Sequence, residues 1–190
     1  MSVFNDEQEF TVEEFEAVYR TSEEPLEFIE GKIYAYGSPS FYHQEVSFRL
    51  KESFSKFFQS QGCDVVLAPF DVKLELDKMD SHHVIPDLTV ICDKRGYTAG
   101  RKQYVGVPSL IVEVLSPSNH RHDLVTKMNL YGKFGISEYW IANPLNHSVS
   151  IYTLDESGFY SQDKVQTSGI LDSRAYSGLA VDLDWLFDFQ

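Results

Sequence analysis

Two runs, residues 87–92 (DLTVIC) and 109–115 (SLIVEVL), are dense in apolar and β-branched residues on both alternating faces. Strands of this kind lie in the middle of a sheet with cover on each side, so the rest of the chain has to supply helices. The surrounding sequence does. Thr11 followed by Glu14 has capping-box spacing, and Val12, Phe15 and Val18/Tyr19 recur at helical intervals, which predicts a short helix over about residues 11–20. Val46, Leu50, Phe54 and Phe57/Phe58 predict a long helix over 41–60, stopped by Gly62. Leu124, Met128 and Tyr131 form the stripe of a third helix, 121–134.

The other elements read as strands. Residues 26–36 alternate and predict a strand pair turning near Glu30-Gly31-Lys32. Strands are also expected at 64–68, 70–76 and 137–142. Runs 147–154 and 158–166 flank Asp155-Glu156-Ser157-Gly158 as a hairpin, and the tail from about 179 reads as a short strand or turn with an apolar helical end. Adjacent residues on a strand point apart, so the pair His82-His83, which could otherwise bind a transition metal, is read as loop. No repeat or low-complexity linker interrupts this order. It predicts one α/β domain over 1–190, a mixed sheet flanked by helices, with an acidic helical segment at 1–25, a core at 26–160 and an extension at 161–190.

The net charge of -13 argues against a generic DNA-coating protein, whose affinity comes from Lys and Arg on phosphates. Its distribution narrows that exclusion. Residues 1–30 hold ten acids against Arg20 alone, and residues 171–190 hold four against Arg174. Residues 94–133 instead hold seven bases against Glu113 and Asp123. Cys63 and Cys92 are too few for a disulfide framework and suit no zinc spacing, and Cys92 reads as a small buried hydrophobe. No run approaches the roughly 18 apolar residues of a membrane span, and the acidic N-terminus is unlike a secretory signal, so a cytoplasmic protein is expected.

Glu113 is the most informative residue. Period-two geometry sets it between Ile111 and Leu115 on one face of an apolar strand, where an unpaired acid is expensive. Asp87 stands at the start of the other central strand, behind Pro86, which cannot donate to a ladder. On the helix that follows, Asp123 and Lys127 are four apart; the pair is either an exposed i,i+4 ion pair, or Lys127 points back at the strand carrying Glu113. Two strand carboxylates and a lysine suit metal-assisted phosphodiester hydrolysis, since Mg²⁺ takes hard oxygen ligands and acidifies water.

Asp87 followed by Glu113-Val114-Leu115 resembles the split active site of the PD-(D/E)XK nuclease superfamily. More closely, the chain resembles a family described as putative restriction endonucleases, first catalogued as a domain of unknown function. The matching pieces are Phe28-Ile29-Glu30-Gly31-Lys32-Ile33-Tyr34, Ser38-Pro39-Ser40 with His43-Gln44, Pro86-Asp87 and Glu113-Val114-Leu115-Ser116-Pro117-Ser118. They continue through Asp123, Lys127 and Tyr131 to Gly135-Ile136-Ser137-Glu138-Tyr139-Trp140-Ile141 and Asn143-Pro144, covering about residues 26–160. The resemblance implies a restriction-endonuclease-like core, Mg²⁺ (or Mn²⁺) held by Asp87, Glu113 and the Val114 carbonyl, a DNA substrate and a homodimer. Leu115 stands where the superfamily has its lysine, and Lys127 matches the position to which this family has moved it. Glu30 matches an acidic position and is a further metal or water ligand; otherwise it is a solvated turn acid. His43, Glu45 and Asp123 are secondary candidates, Arg121 and Ser116 are candidates for substrate contact, and Tyr131 and Trp140 read as core. The rival expectation is a decayed nuclease fold that binds nucleic acid or protein, which the Leu115 departure favours.

Overall fold

A computed structural model describes residues 8–76, 80–116 and 122–189, the side chains of the last stretch from 125 on. In chain order the first elements are α1 (Val12–Tyr19), β1 (Leu26–Ile29), β2 (Lys32–Ala35), α2 (Phe41–Phe58), β3 (Asp64–Leu67) and β4 (Asp71–Glu75). Next come β5 (Ser81–Val84), β6 (Leu88–Ile91), β7 (Gln103–Val105) and β8 (Leu110–Val114). A wide π-type turn, His122–Lys127, leads into α3 (Met128–Lys133), followed by β9 (Glu138–Asn143), β10 (Ser148–Leu154), β11 (Tyr160–Gln166), β12 (Ile170–Asp172), β13 (Ala180–Asp182) and α4 (Leu183–Leu186).

The chain packs as two compact units, one of residues 1–38, 68–86 and 95–106, the other of 39–67, 87–94 and 107–190. The first unit carries a five-stranded sheet in the order β2-β1-β5-β4-β7, antiparallel except for the β4–β7 pair. At its hairpin Ile29 pairs with Lys32, and Glu30 and Gly31 both take positive φ, 49° and 77°. This is the backbone of a two-residue primed turn, whose twist matches that of its strands. Helix α1 begins with both halves of the expected capping box and lays Phe15 on Phe28, with ring centroids 4.8 Å apart.

The second unit carries a six-stranded mixed sheet in the order β11-β10-β9-β8-β6-β3, in which only β8 and β9 run parallel. Every residue of β6 and β8 is buried, in keeping with a double cover. Val46, Leu50, Phe54 and Phe58 of α2 join Leu88, Val90, Leu110, Val112, Val114, Trp140 and Ala142 in one core. These strand positions are the even-numbered ones. The odd-numbered face, with Glu113 and Tyr139, meets α3, where the Tyr131 and Tyr139 rings lie 5.2 Å apart.

Several expectations are corrected. The strands divide between two main sheets instead of forming one. His82-His83 is not loop: both lie in β5, between β1 and β4, and each ring meets its own carboxylate, His82 with Asp80 at 2.9 Å and His83 with Asp71 at 3.1 Å. Cys63 and Cys92 form a disulfide, and Cys92 is exposed. Asp64 pairs with Ile91, so the next step of the antiparallel register brings Cys63 against Cys92, with Cα atoms 4.2 Å apart. The three-residue strands β7 and β12 are too short to show a period in the sequence.

Candidate active site

Five side chains of the second unit gather at one end of β6 and β8. Leu88 pairs with Val112, so Asp87, one residue earlier, stands level with Glu113, one residue later. Asp87 is buried, and its Oδ2 accepts the Val114 N–H at 2.7 Å. The N–H and C=O of a strand residue leave on the same side, so the Val114 carbonyl also faces the Asp87 side. Nε2 of His43, in the first turn of α2, lies 3.1 Å from the same Asp87 oxygen.

Glu113 is 2% exposed, and its Oε1 accepts from the Lys127 ammonium at 2.9 Å and the Tyr131 hydroxyl at 2.7 Å. Lys127 is itself buried, so the i,i+4 alternative of an exposed pair with Asp123 does not describe it. Leu115, next but one after Glu113, is buried, and the lysine comes instead from the last residue of the π-type turn. Each carboxylate thus has one oxygen held by two donors. Such donors replace the water that each carboxylate loses on burial.

The other predicted residues are distributed as follows. Ser116 is half-buried directly after β8. Glu45 meets Arg49 at 3.5 Å along α2. Glu30 is exposed and belongs to the first unit, where its N–H donates to His82 Nδ1 at 3.2 Å. Arg121 and the side chain of Asp123 lie outside the described residues. Several bases of the stretch 94–133 meet partners within the protein: Lys127 is buried on Glu113, Lys94 meets Asp64 at 3.0 Å, and Arg101 lies over the Tyr97 ring. A charge count along the chain could not show this, because it ignores which bases are spent on internal partners.

Tyr131 and Trp140 are buried in the core as expected, and each also makes a polar contact. Tyr131 bonds Glu113, and Trp140 donates its indole N–H to buried Glu138. Tyr131 is four residues after Lys127, one helical turn on, a spacing that could have flagged a shared target. Nothing in the local sequence pairs His43 with Asp87. Among the described residues, no three His, Cys, Asp or Glu side chains gather into a metal-holding group.

The chain is similar to known proteins in sequence and in fold. The model of a family described as "Uma2: Putative restriction endonuclease" matches residues 12–184. A Synechocystis protein described as uncharacterized is 27% identical over 165 residues, covering 86% of this chain and 84% of its own. A crystal structure described as a putative nuclease of DUF820 from Anabaena variabilis superposes with a TM-score of 0.76 at 18% identity, covering 94% of this chain and 97% of its own. Among the described residues no helix is long and apolar enough to cross a membrane.

Proposed function

The chain belongs to the Uma2 family, and from that premise we propose that it is a divalent-metal-dependent endonuclease that hydrolyses DNA phosphodiester bonds at Asp87, Glu113 and Lys127. One observation carries the reading: Asp87 and Glu113 stand level on paired strands, both buried, with a buried lysine on Glu113. Apolar substitutes would serve packing better than two acids and an ammonium, because desolvating charges offsets most of what their pairing returns.

The donor chemistry fits Mg²⁺ or Mn²⁺. Two carboxylates and the Val114 carbonyl are hard oxygens, and Mg²⁺ commonly takes one or two carboxylates and fills its remaining positions with water and phosphate oxygens. When bound, such an ion supplies an acidified water and offsets the phosphate charge. Asp87 and Glu113 would hold it together with the Val114 carbonyl. The Lys127 ammonium lies 2.9 Å from Glu113 Oε1, a cation directly beside the oxygens that would hold the ion. It is therefore suited to orient a water and to stabilise charge on the attacked phosphate. The Tyr131 hydroxyl, 2.7 Å from Oε1, would help hold the Glu113 carboxylate in place. A homodimer would cut both strands.

The test is cleavage of supercoiled and linear DNA with Mg²⁺ or Mn²⁺ against an EDTA control. Wild type should cut, and Glu113→Gln should lose at least about 100-fold in rate. A folded, metal-binding wild type that leaves all DNA intact would favour the rival reading, a binding module with a decayed site. Leu115 in the superfamily's lysine position is the observation behind that alternative.

A further inference from the structure

We propose that His43 is a positioning residue of this site, holding the Asp87 carboxylate in the orientation that accepts the cation. The inference rests on the reading of Asp87 and Glu113 as a metal-holding pair. Ser40 caps α2 and accepts the His43 N–H at 3.3 Å, which fixes the first helical turn. Within that turn the usual order of burial is inverted. Phe41 and Tyr42 are 67% and 53% exposed, while His43 is 8% exposed. Two aromatic rings are left in water and the polar ring is taken inside, the reverse of what transfer from water favours.

His43 finds one partner there, Asp87. Its Nε2 lies 3.1 Å from Oδ2, and the Val114 N–H reaches the same oxygen at 2.7 Å. One donor comes from the helix and the other from the strand. Two donors on one oxygen, approaching from different elements, fix the rotation of the carboxylate about its Cβ–Cγ bond. The second ring nitrogen, Nδ1, is buried without a hydrogen-bond partner among the described residues. An imidazole kept only for packing or local structure is ordinarily satisfied at both nitrogens, so this one is retained at a standing cost. Partners that orient a metal-holding carboxylate matter in this way: their loss typically weakens metal affinity about 10–100-fold.

The experiment is Mn²⁺ titration of the full chain by calorimetry at fixed pH, with the thermal midpoint recorded for each variant. The set is wild type, His43→Ala, His43→Gln and Glu113→Gln. Wild type should bind, Glu113→Gln should bind far more weakly, and His43→Ala should weaken binding about 10-fold or more. His43→Gln should recover most of that loss, because its side-chain amide still offers an N–H to Asp87. If His43→Ala does not fold, His43→Leu fills the space without a donor and serves in its place. Wild-type affinity in His43→Ala or Leu, or a His43→Gln no tighter than they are, overturns the positioning role. A wild type that binds no better than Glu113→Gln instead overturns the metal reading beneath it.

Discussion

At the residue scale, Glu113 and Lys127 form an ion pair out of water, so removing one leaves the other buried without its opposite charge. Glu113→Gln or Lys127→Met alone should cost about 3–5 kcal/mol in urea unfolding. The double variant should recover part of that stability, since neither position then carries a buried charge. DNA cleavage should be absent in all three, which separates the pair's chemistry from its structural role. Glu30 offers the opposite case. Its φ of 49° is unfavourable for a glutamate and tolerated by asparagine. Glu30→Asn should therefore raise stability by up to about 1 kcal/mol. Urea melts of wild type and Glu30→Asn check this.

At the element scale, α1 is latched to its sheet through Asp71, which accepts from the Tyr19 hydroxyl and lies 3.1 Å from His83. Burial pushes the Asp71 carboxyl up, but the hydrogen bonds from His83 and Tyr19 and the His83 charge outweigh it, and the net effect lowers it. Burial and the Asp71 contact raise the Tyr19 hydroxyl above its ordinary range. The sign follows. Asp71 contributes stability above about pH 4, its unfolded value, and loses it as pH falls through its lower folded value. Tyr19 contributes below about pH 10 and loses its share as pH rises past that. Asp71→Asn should flatten the acid limb of a stability-against-pH curve. A second latch joins the C-terminal segment to β9: buried Glu138 accepts from the Ser173 hydroxyl at 2.8 Å and from the Arg174 and Ala175 N–H groups at 2.9 and 2.7 Å. Glu138→Ala leaves these donors and the Trp140 indole without their acceptor. It should cost about 3 kcal/mol and speed hydrogen exchange at Arg174 and Ala175.

At the scale of the whole molecule, the chain leaves the six-stranded sheet after β3, builds β4 and β5 of the other unit, and returns at β6. The Cys63–Cys92 disulfide closes that excursion with a sequence separation of 29. A closed loop of this length restricts the unfolded chain by about 3–4 kcal/mol. Reduction, or the Cys63→Ser/Cys92→Ser variant, should lower the unfolding free energy by about that amount, read from urea melts with and without reductant. The strongly acidic first 30 residues should keep non-specific DNA affinity low whatever the site does, because they oppose the counterion release that drives it.

The elements and the unusual acids are legible in the order of residues alone. Capping boxes, alternation and apolar periods are local, so α1, the β1–β2 hairpin, α2, β8 and the β10–β11 hairpin were legible within a residue or two. Glu113 was conspicuous because one charge in an apolar strand is a local anomaly. What those acids meet depends on the folded chain. The two sheets, the Cys63–Cys92 pair, the place of His82-His83 in β5, and the contacts of Tyr131 and His43 depend on registers between distant segments. A single residue's slip in such a register exchanges every partner, yet leaves the local pattern of each strand unchanged.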